Sequence, residues 1–407
     1  MTKRIFITTI AALCTSMLFA QESQKEMKET KYRRSSLHTI LIESSDFPKK
    51  DQVINAYYGA PFPNKYDNHN IGEKSFNPAK YSNDTIESKT PEVIEKYFKD
   101  QQIAKKLVAK WYNRQADGCF DFSLIHDRGA FNASFLDAKT AAASSDGQYL
   151  LKSAGTELIN NTFVVVSKMK FVENEPIARA IRDGIILSLN NANEMVRTMG
   201  VKAAEKAYEK GKEGYSVWTT SYLYKLKWNP EVEGIFYGEM YGDKSDMTAS
   251  KKAKFDNNTD LFQMEFVGSQ KSTTLVTFSL KEKRTEDQII NLSVTRNIDK
   301  VFAKLQKNYD VFKPKVPLFT GDPITAKIGL KEGLEGGDKF EVLEAVMDEK
   351  TGKIEYKKIG TIKVDGNKIW DNNFNLGDEV PAEGAIDRTT FKGGSKYYPG
   401  LLIRQIK

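Results

Sequence analysis

The residues able to do chemistry are few and scattered in this sequence. Its three histidines are His38, His69 and His126, and no two have the HxH or HxxxH spacing that brings a pair onto one metal ion. His126 precedes Asp127, but neighbouring residues at a strand end point to opposite faces, so they do not predict a catalytic pair. The sequence therefore predicts neither a metal site nor histidine-based catalysis.

Other polar clusters are better explained as turns. The oxygen-rich runs Asp67–Asn70 and Asp256–Asp260 lack the alternating ligands and closing acid of a calcium loop, so local Asx turns are favoured. Acids surround the glycines of Gly333–Gly337 and would repel a phosphate. Cys119 has no base near it in sequence and is expected to be a buried thiol. We expect no cofactor.

Carboxylate pairs keep one enzymatic hypothesis open. Glu233 with Glu239, or Asp371 with Asp378, could flank a sugar, although a glycosidase pair cannot be recognised from sequence alone. A carboxylate-dependent hydrolase is therefore the third of three functional hypotheses.

An aromatic face is the feature most typical of carbohydrate contact. It lies on a predicted strand, Ser216–Trp228, and consists of the even-numbered residues Trp218, Tyr222, Tyr224 and Trp228. Core packing of a long strand is the favoured interpretation. The alternative is a glycan- or peptidoglycan-binding face, which would need an exposed Trp218 and which full burial of the rings would remove.

The elements that must position these residues form an α+β domain over residues 36–312. Period-two and short apolar runs predict strands at Ser36–Glu43, Phe120–Ile125, Thr162–Phe171, Ser216–Trp228, Gly234–Tyr241, Leu261–Val267 and Thr273–Leu280. Helices are predicted from Thr90 to Trp111, within 141–154, within 176–212 and from Thr285, where Gln288 completes a capping box. Whether the helical insert at 176–212 packs on its own domain or contacts a neighbour stays open.

After Pro314 and Pro317 the helical period disappears. Short strands are predicted at Ile324–Leu330, Lys339–Ala345, Ile354–Val364 and Ile369–Phe374. They indicate a small antiparallel β-barrel over residues 318–407. The predicted fold class is thus α+β, with a mixed or antiparallel sheet and packed helices, followed by a small all-β barrel.

The first residues are typical of an export signal. Lys3 and Arg4 precede the apolar run Ile5–Phe19, and Ala20 is a small residue before a polar stretch. We therefore predict a signal peptide at 1–20, a flexible leader at 21–35, and a periplasmic, outer-membrane-associated or secreted protein. Cys14 lies inside this signal and is preceded by Leu13, which does not suit lipid attachment.

The charge is mild and spread along the chain. The formal net charge is +7, and the first twenty residues supply two cations and no acid. Scattered lysines do not predict nucleic-acid binding. They favour a solvated surface, with peripheral contact to the outer membrane or to polysaccharide as the alternative.

The order of elements resembles a known envelope arrangement. The segments LHTILI, CFDFSLIHDRGAF, GTELINNTFVVVSKM, YSVWTTSYLYKL, GIFYGEMY and RNIDKVFAKLQ follow one another as in the periplasmic α/β domain of curli-secretion channel subunits and of the Tol-system translocation protein. The later segment ITAKIGLKEGLEGGDKFEVLE is similar to the small β-barrel of flagellar outer-membrane assembly factors. The insert at 176–212 and the missing lipidated cysteine depart from the channel subunits.

The resemblance implies an assembly or structural role at the outer membrane without catalysis. Together with the poor supply of catalytic residues, it makes a non-enzymatic cell-envelope subunit the leading hypothesis. Its expected partners are envelope proteins, including further copies of this chain.

Overall fold

The fold class predicted from the sequence is confirmed by a computed structural model. The structure describes residues 32–43, 47–82, 89–131, 157–212, 215–276, 285–347, 354–375, 384–394 and 397–406. These residues form a mixed sheet with packed helices, followed by a closed six-stranded β-barrel. The predicted signal, the predicted helix within 141–154 and Asp378 lie outside the described residues. No helix of the described ranges is both long and apolar enough to cross a membrane.

Strands β1 to β6 build the sheet in the order β2-β1-β4-β5-β6, with β3 also paired to β1. They are β1 (Ser36–Ile42), β2 (Asp67–Asn68), β3 (Ser75–Phe76), β4 (Thr162–Glu173), β5 (Tyr215–Leu226) and β6 (Met264–Val276). Strand β1 is parallel to β2, β3 and β4, whereas β4, β5 and β6 are antiparallel. The apolar runs of β1 and β4 are buried on both faces, as is typical of parallel pairs covered by helices.

Helices cover both faces of this sheet. In chain order the helices are α1 (Lys50–Gly59), α2 (Thr90–Asp100), α3 (Ile103–Trp111), α4 (Ser123–Phe131), α5 (Asn174–Ser188), α6 (Glu194–Gly211), α7 (Pro230–Ile235), α8 (Ala249–Asn257) and α9 (Glu286–Asn308). Of these, α1, α2, α3 and α9 lie on the faces of the sheet. Leu37 and Leu41 of β1 pack with α1 and α9, while Ile40 and Ile42 pack with α2 and α3. This alternation is what the period of two along a strand requires.

The start of α9 follows the predicted capping box. The Thr285 hydroxyl accepts the backbone N–H of Gln288 at 3.3 Å, and the Gln288 side chain accepts the N–H of Thr285 at 2.9 Å. The apolar side of α9, including Ile290 and Val294, is buried against the sheet. This prediction is confirmed.

Two predicted strands are wrong because capping residues begin helices there. In place of a strand at Phe120–Ile125, the Asp121 carboxylate accepts the N–H of Ser123 at 2.9 Å just before α4. In place of a strand at Gly234–Tyr241, Asn229 caps α7, which continues into a π-helix at Phe236–Met240. Here the buried residues recur every four positions, at Val232, Phe236 and Met240.

Two further boundaries differ from the prediction. The helix expected from Thr90 to Trp111 is split into α2 and α3, because Gln102 has a left-handed backbone (φ 52°). Over the described residues, the strands expected at Leu261–Val267 and Thr273–Leu280 are one strand, β6, because its polar middle pairs residue by residue with β5. Residues 277–280 lie outside the described ranges.

The predicted helical insert consists of α5 and α6, joined by a short polar turn. They leave the sheet after β4 and return to it at β5. The Asn193 side chain caps α6 by accepting the N–H of Val196 at 2.9 Å. These two helices pack mainly against each other.

The barrel has the closed strand order β10-β11-β8-β7-β12-β9. Its strands are β7 (Val316–Gly321), β8 (Ile324–Ala326), β9 (Lys339–Met347), β10 (Ile354–Val364), β11 (Thr389–Lys392) and β12 (Leu402–Ile406). The strand predicted at Ile369–Phe374 is wrong: its only ladder contact among the described residues is the bridge between Gly329 and Trp370. The Asp371 carboxylate accepts the N–H of Asn373 at 3.1 Å, and this local turn replaces strand pairing.

Candidate functional site

Three of the four aromatic residues of the predicted face are core residues. Tyr222 and Tyr224 lie under α2 and α3, where the Tyr224 hydroxyl donates to the Pro91 carbonyl at 3.2 Å. Trp228 belongs to a separate aromatic cluster beyond the end of β5. Their rings are therefore not accessible for stacking on a sugar.

Trp218 differs from these three because its side chain is 47% exposed. It lies on the same face of β5 as Tyr222 and Tyr224, at the end of the strand that α2 and α3 do not cover. Its register neighbours are Lys170 on β4 and Thr273 on β6. Trp218 is thus an exposed aromatic ring between polar strand neighbours.

His69 is a buried structural residue. Arg128 donates to its Nδ1 at 2.9 Å, so Nε2 carries the proton and donates to the Leu107 carbonyl at 3.0 Å. The ring also stacks on Trp111 with centroids 4.6 Å apart. Burial, followed by the charge of Arg128, lowers the pKa of His69 well below its ordinary value and keeps the ring neutral.

His38 and His126 lie in opposite environments. His38 is buried in β1, where burial lowers its pKa to about 4 and a backbone hydrogen bond with Glu73 opposes that shift. It lines a cavity of about 340 Å³ at the sheet edge, together with Tyr58 and Phe62. His126 lies exposed on α4 rather than at the predicted strand end.

Of the two oxygen-rich runs, the first contains the local Asx turn that the sequence favours, whereas the second begins inside α8, which ends at Asn257. In the first run the Asn68 side chain accepts the N–H of Asn70 at 3.1 Å. In the second, Asp256 pairs with Arg114 at 2.6 Å. Over the described ranges, no group of three or more His, Cys, Asp or Glu residues is arranged to hold a metal ion.

Cys119, Glu239 and Asp371 are engaged in the fold, and Glu233 lies partly buried on α7. Cys119 is buried. Glu239 pairs at the surface with Lys254 at 3.1 Å. Asp371 serves the local turn described above, and its suggested companion Asp378 lies outside the described residues.

The helical hairpin α5–α6 carries an exposed apolar surface. Three isoleucines at four-residue spacing form a ridge on α5, and Ile181 is 59% exposed. They line a groove of about 250 Å³ whose other wall, on α6, includes Ala204 and Ala207. Met199 is 65% exposed and lies seven residues before Lys206, hence at the lysine-bearing border of this groove on α6. We call this set the hairpin surface: Ile177, Ile181, Ile185, Val196, Met199 and Ala207.

The base of the groove reaches the exposed part of the sheet. Asn174 at the start of α5 and Ser216 on β5 both line it, and their side chains are joined by a hydrogen bond of 2.7 Å. Ser216 lies two residues before Trp218, on the same face of the strand and about 7 Å away along it. Trp218 therefore lies close to the base of the groove.

Lysines border this region. Lys202, Lys206 and Lys210 recur every four residues along α6 and are exposed. The nearby acids have other partners: Glu205 lies 3.9 Å from Arg182, and Glu209 lies 2.8 Å from Lys212. The border of the apolar surface is therefore positively charged.

Polar contacts hold the two helices together near the sheet. The Tyr208 hydroxyl donates to Glu175 at 2.8 Å, and the Arg182 guanidinium lies 4.5 Å from the centre of the Tyr208 ring. Arg179 also pairs with Glu175, at 2.6 Å. These contacts fix the two helices that carry the apolar surface relative to each other.

Comparison with known proteins gives no relative from which a role could be transferred. No protein-family model matches the chain, and no curated protein matches it either.

The sequence predicts the helices of the insert but not that their apolar side faces solvent. The spacing of Ile177, Ile181 and Ile185 predicts a one-sided apolar helix, whose ordinary place is against a core. That these residues face solvent follows from tertiary structure, because no third layer built from the described residues covers them. One feature of the sequence points to this exposure: the predicted insert contains helices and no further element that would cover them.

Proposed function

We propose that this protein is a non-enzymatic subunit of a cell-envelope assembly and that it acts through protein–protein contacts made by the hairpin surface. The observation that carries the proposal is the groove of the two-helix hairpin, along which Ile181 and Ile185 are exposed. Large contiguous apolar patches on soluble proteins mark interaction sites.

The shape and charge of this surface favour one kind of occupant. A groove between two antiparallel helices, lined by isoleucine on one side and alanine on the other, suits the apolar face of a helix. Lys202, Lys206 and Lys210 along its border favour acidic side chains on that helix. The proposed partner is therefore an envelope protein that offers an amphipathic helix with an acidic flank.

The assignment to the envelope rests on the sequence. The basic and apolar first twenty residues support export, and the order of elements resembles outer-membrane assembly proteins. A subunit of this kind needs a contact surface, which the hairpin surface provides.

Glycan binding is the second candidate, and exposed Trp218 is the observation that favours it. A single indole with polar neighbours can stack on one sugar ring. Burial of Tyr222, Tyr224 and Trp228 limits any such site to that one ring. Trp218 also adjoins the hairpin surface, so it fits equally well as the edge of a protein contact.

Site-specific photo-cross-linking in the natural host tests the proposal. A cross-linking residue replaces Ile181, and in a matched control it replaces Ile359, which is half-exposed on β10 of the barrel. We expect one adduct from position 181 and none from 359. The adduct should map by mass spectrometry to an acidic amphipathic helix of an identified envelope protein, and it should be lost when Lys202, Lys206 and Lys210 are changed to Glu.

Three outcomes would overturn this proposal. The chain could be recovered as a monomer without an adduct. An adduct with a second copy alone would replace the partner protein by self-association. An adduct with lipid alone would make the hairpin a membrane contact.

A further inference from the structure

A cavity of about 130 Å³ lies where the barrel joins the α+β part of the chain. Its walls come from the residues before β1, the loop before β2, the residue before β4, the connection from α9 to β7, and β12 of the barrel. The volume is several times the roughly 30 Å³ of one liquid water molecule. A small ligand and its nearest waters would fit.

The walls of this cavity are rich in hydrogen-bond donors. Five cationic side chains line it together with Ser35 and Asn161. Among the described residues its one lining carboxylate is Asp310, which pairs with Lys313 at 2.6 Å. The cations are Arg34, Lys65, Lys313, Lys315 and Arg404. A cavity with this composition attracts an anion that accepts several hydrogen bonds at once.

Contacts from behind fix the positions of these cations. Lys315 lies 2.8 Å from Glu157, and Arg404 lies 2.6 Å from Glu341. Glu157 is in turn held by the Tyr356 hydroxyl, which donates to it at 2.7 Å. Such second contacts orient the charged groups before a ligand arrives, which lowers the cost of binding.

Burial strengthens the interaction with an anion. The side chains of Arg34 and Lys313 are almost fully buried, and that of Lys315 is mostly buried. Burial also lowers the pKa of Lys315, which Glu157 opposes. Charges in such surroundings are less screened than charges at the surface.

We propose that this cavity binds a tetrahedral oxyanion, either a free ion of the phosphate class or the phosphate group of a small monoester. Arg34 and Lys65 come from the α+β part, Lys313 and Lys315 from the connection, and Arg404 from the barrel. The bound anion therefore contacts all three parts and stabilises the junction between them. This site is independent of the hairpin surface.

Isothermal titration of the purified chain tests the site. Inorganic phosphate, sulfate and glycerol phosphate are titrated at constant ionic strength, with acetate as a planar, singly charged comparison. We expect saturable binding of the tetrahedral anions and at least tenfold weaker binding of acetate. Tighter binding of glycerol phosphate assigns the monoester as ligand, and equal or weaker binding assigns the free ion.

Variants distinguish a built site from general attraction to a basic protein. Lys65→Met with Lys313→Met should weaken phosphate binding at least tenfold, whereas Lys363→Met on the exposed side of β10 should not change it. If the double methionine variant does not fold, Lys65→Arg with Lys313→Arg keeps the charges and should retain saturable phosphate binding. Absence of saturable binding to the unmodified chain, or equal binding by the folded methionine variant, would overturn the proposal.

Discussion

The aromatic cluster beyond β5 and the helical hairpin use apolar residues in opposite ways. In the cluster, Phe236 is fully buried, with its ring centre 4.7 Å from that of Tyr112 and 5.4 Å from that of Phe120. In the hairpin, Ile181 and Met199 are more exposed than buried. Apolar content alone therefore does not separate residues that stabilise the fold from residues left for a contact.

The difference lies in the number of layers around each region. Helices α3, α4, α7 and α8 and the end of β5 surround the cluster, and each helix adds a covering face. The hairpin has only two helices, so each can bury one side against the other while the remaining apolar side faces solvent. Apolar area buried on folding contributes roughly 25 cal/mol per Å², and exposed area contributes nothing until a partner covers it.

The largest expected effect is the loss of a ring from the cluster. Phe236→Ala should lower the free energy of unfolding by about 3–5 kcal/mol, because it leaves a cavity among packed rings. Leu187→Ala, on the exposed side of α5, is the matched change in the hairpin and should have almost no effect. Urea unfolding measures the free energy of unfolding of both variants. Equal losses would contradict the claim that the cluster stabilises the fold and the exposed side of the hairpin does not.

Acid should lower the free energy of unfolding by a similar amount, because a buried histidine of the sheet is neutral in the fold. In the unfolded chain His38 titrates near 6.5, whereas in the fold its pKa is about 4. The unfolded state therefore binds an extra proton between these pH values, so stability falls as the pH drops from 6.5 to 4, by roughly 3 kcal/mol. His69 acts in the same direction.

Urea unfolding at pH 7 and at pH 4.5 measures this slope. His38→Gln should reduce the loss between the two pH values, while His126→Gln, at an exposed position of α4, serves as the control. An unchanged slope in His38→Gln would contradict the assignment of the acid sensitivity to the buried ring.

A smaller effect is expected at the start of α9, the helix that covers one face of the sheet. Thr285→Ala removes the hydroxyl that accepts the Gln288 N–H and should cost about 1 kcal/mol. Thr285→Ser keeps the acceptor and should recover most of this loss. Thermal unfolding of the unmodified chain and the two variants measures this loss. Equal losses in both variants would contradict the capping role of the Thr285 hydroxyl.

The elements that could be predicted from the sequence are those whose residue types and apolar spacing both indicate the same secondary structure. The strand at Thr162–Phe171 combines β-branched residues with burial on both faces, and α9 combines a capping box with an apolar period. Phe120–Ile125 and Gly234–Tyr241 were misjudged because short apolar runs fit strand and helix equally well. In both segments the side-chain contacts of Asp121 and Asn229 with backbone N–H groups favour the helix over the strand.

The candidate site was less predictable than the fold. Burial of Tyr222 and exposure of Trp218 cannot be separated by strand period, since both lie on one face of β5 and differ only in how far α2 and α3 reach. The cationic cavity joins Arg34, Lys65 and Arg404, which are far apart in the chain. Only the closing of the barrel beside the sheet brings them together.

The smallest effect on stability is expected in the hairpin surface. Ile181→Asn and Met199→Asn should each change the free energy of unfolding by at most about 0.5 kcal/mol, because both side chains already face solvent. Urea unfolding checks this expectation. A loss of 2 kcal/mol or more, on the order of a buried side chain, would show that these residues stabilise the fold.

The most direct test of the account is the native size of the protein in envelope fractions of its host, compared between the unmodified chain and the variant with Ile181→Asn and Met199→Asn. If the hairpin surface is the contact site, the unmodified chain migrates as a large complex and the variant as a folded monomer, at equal abundance. A monomer in both cases, or an unchanged large complex in the variant, would contradict the claim that the hairpin surface is the contact site.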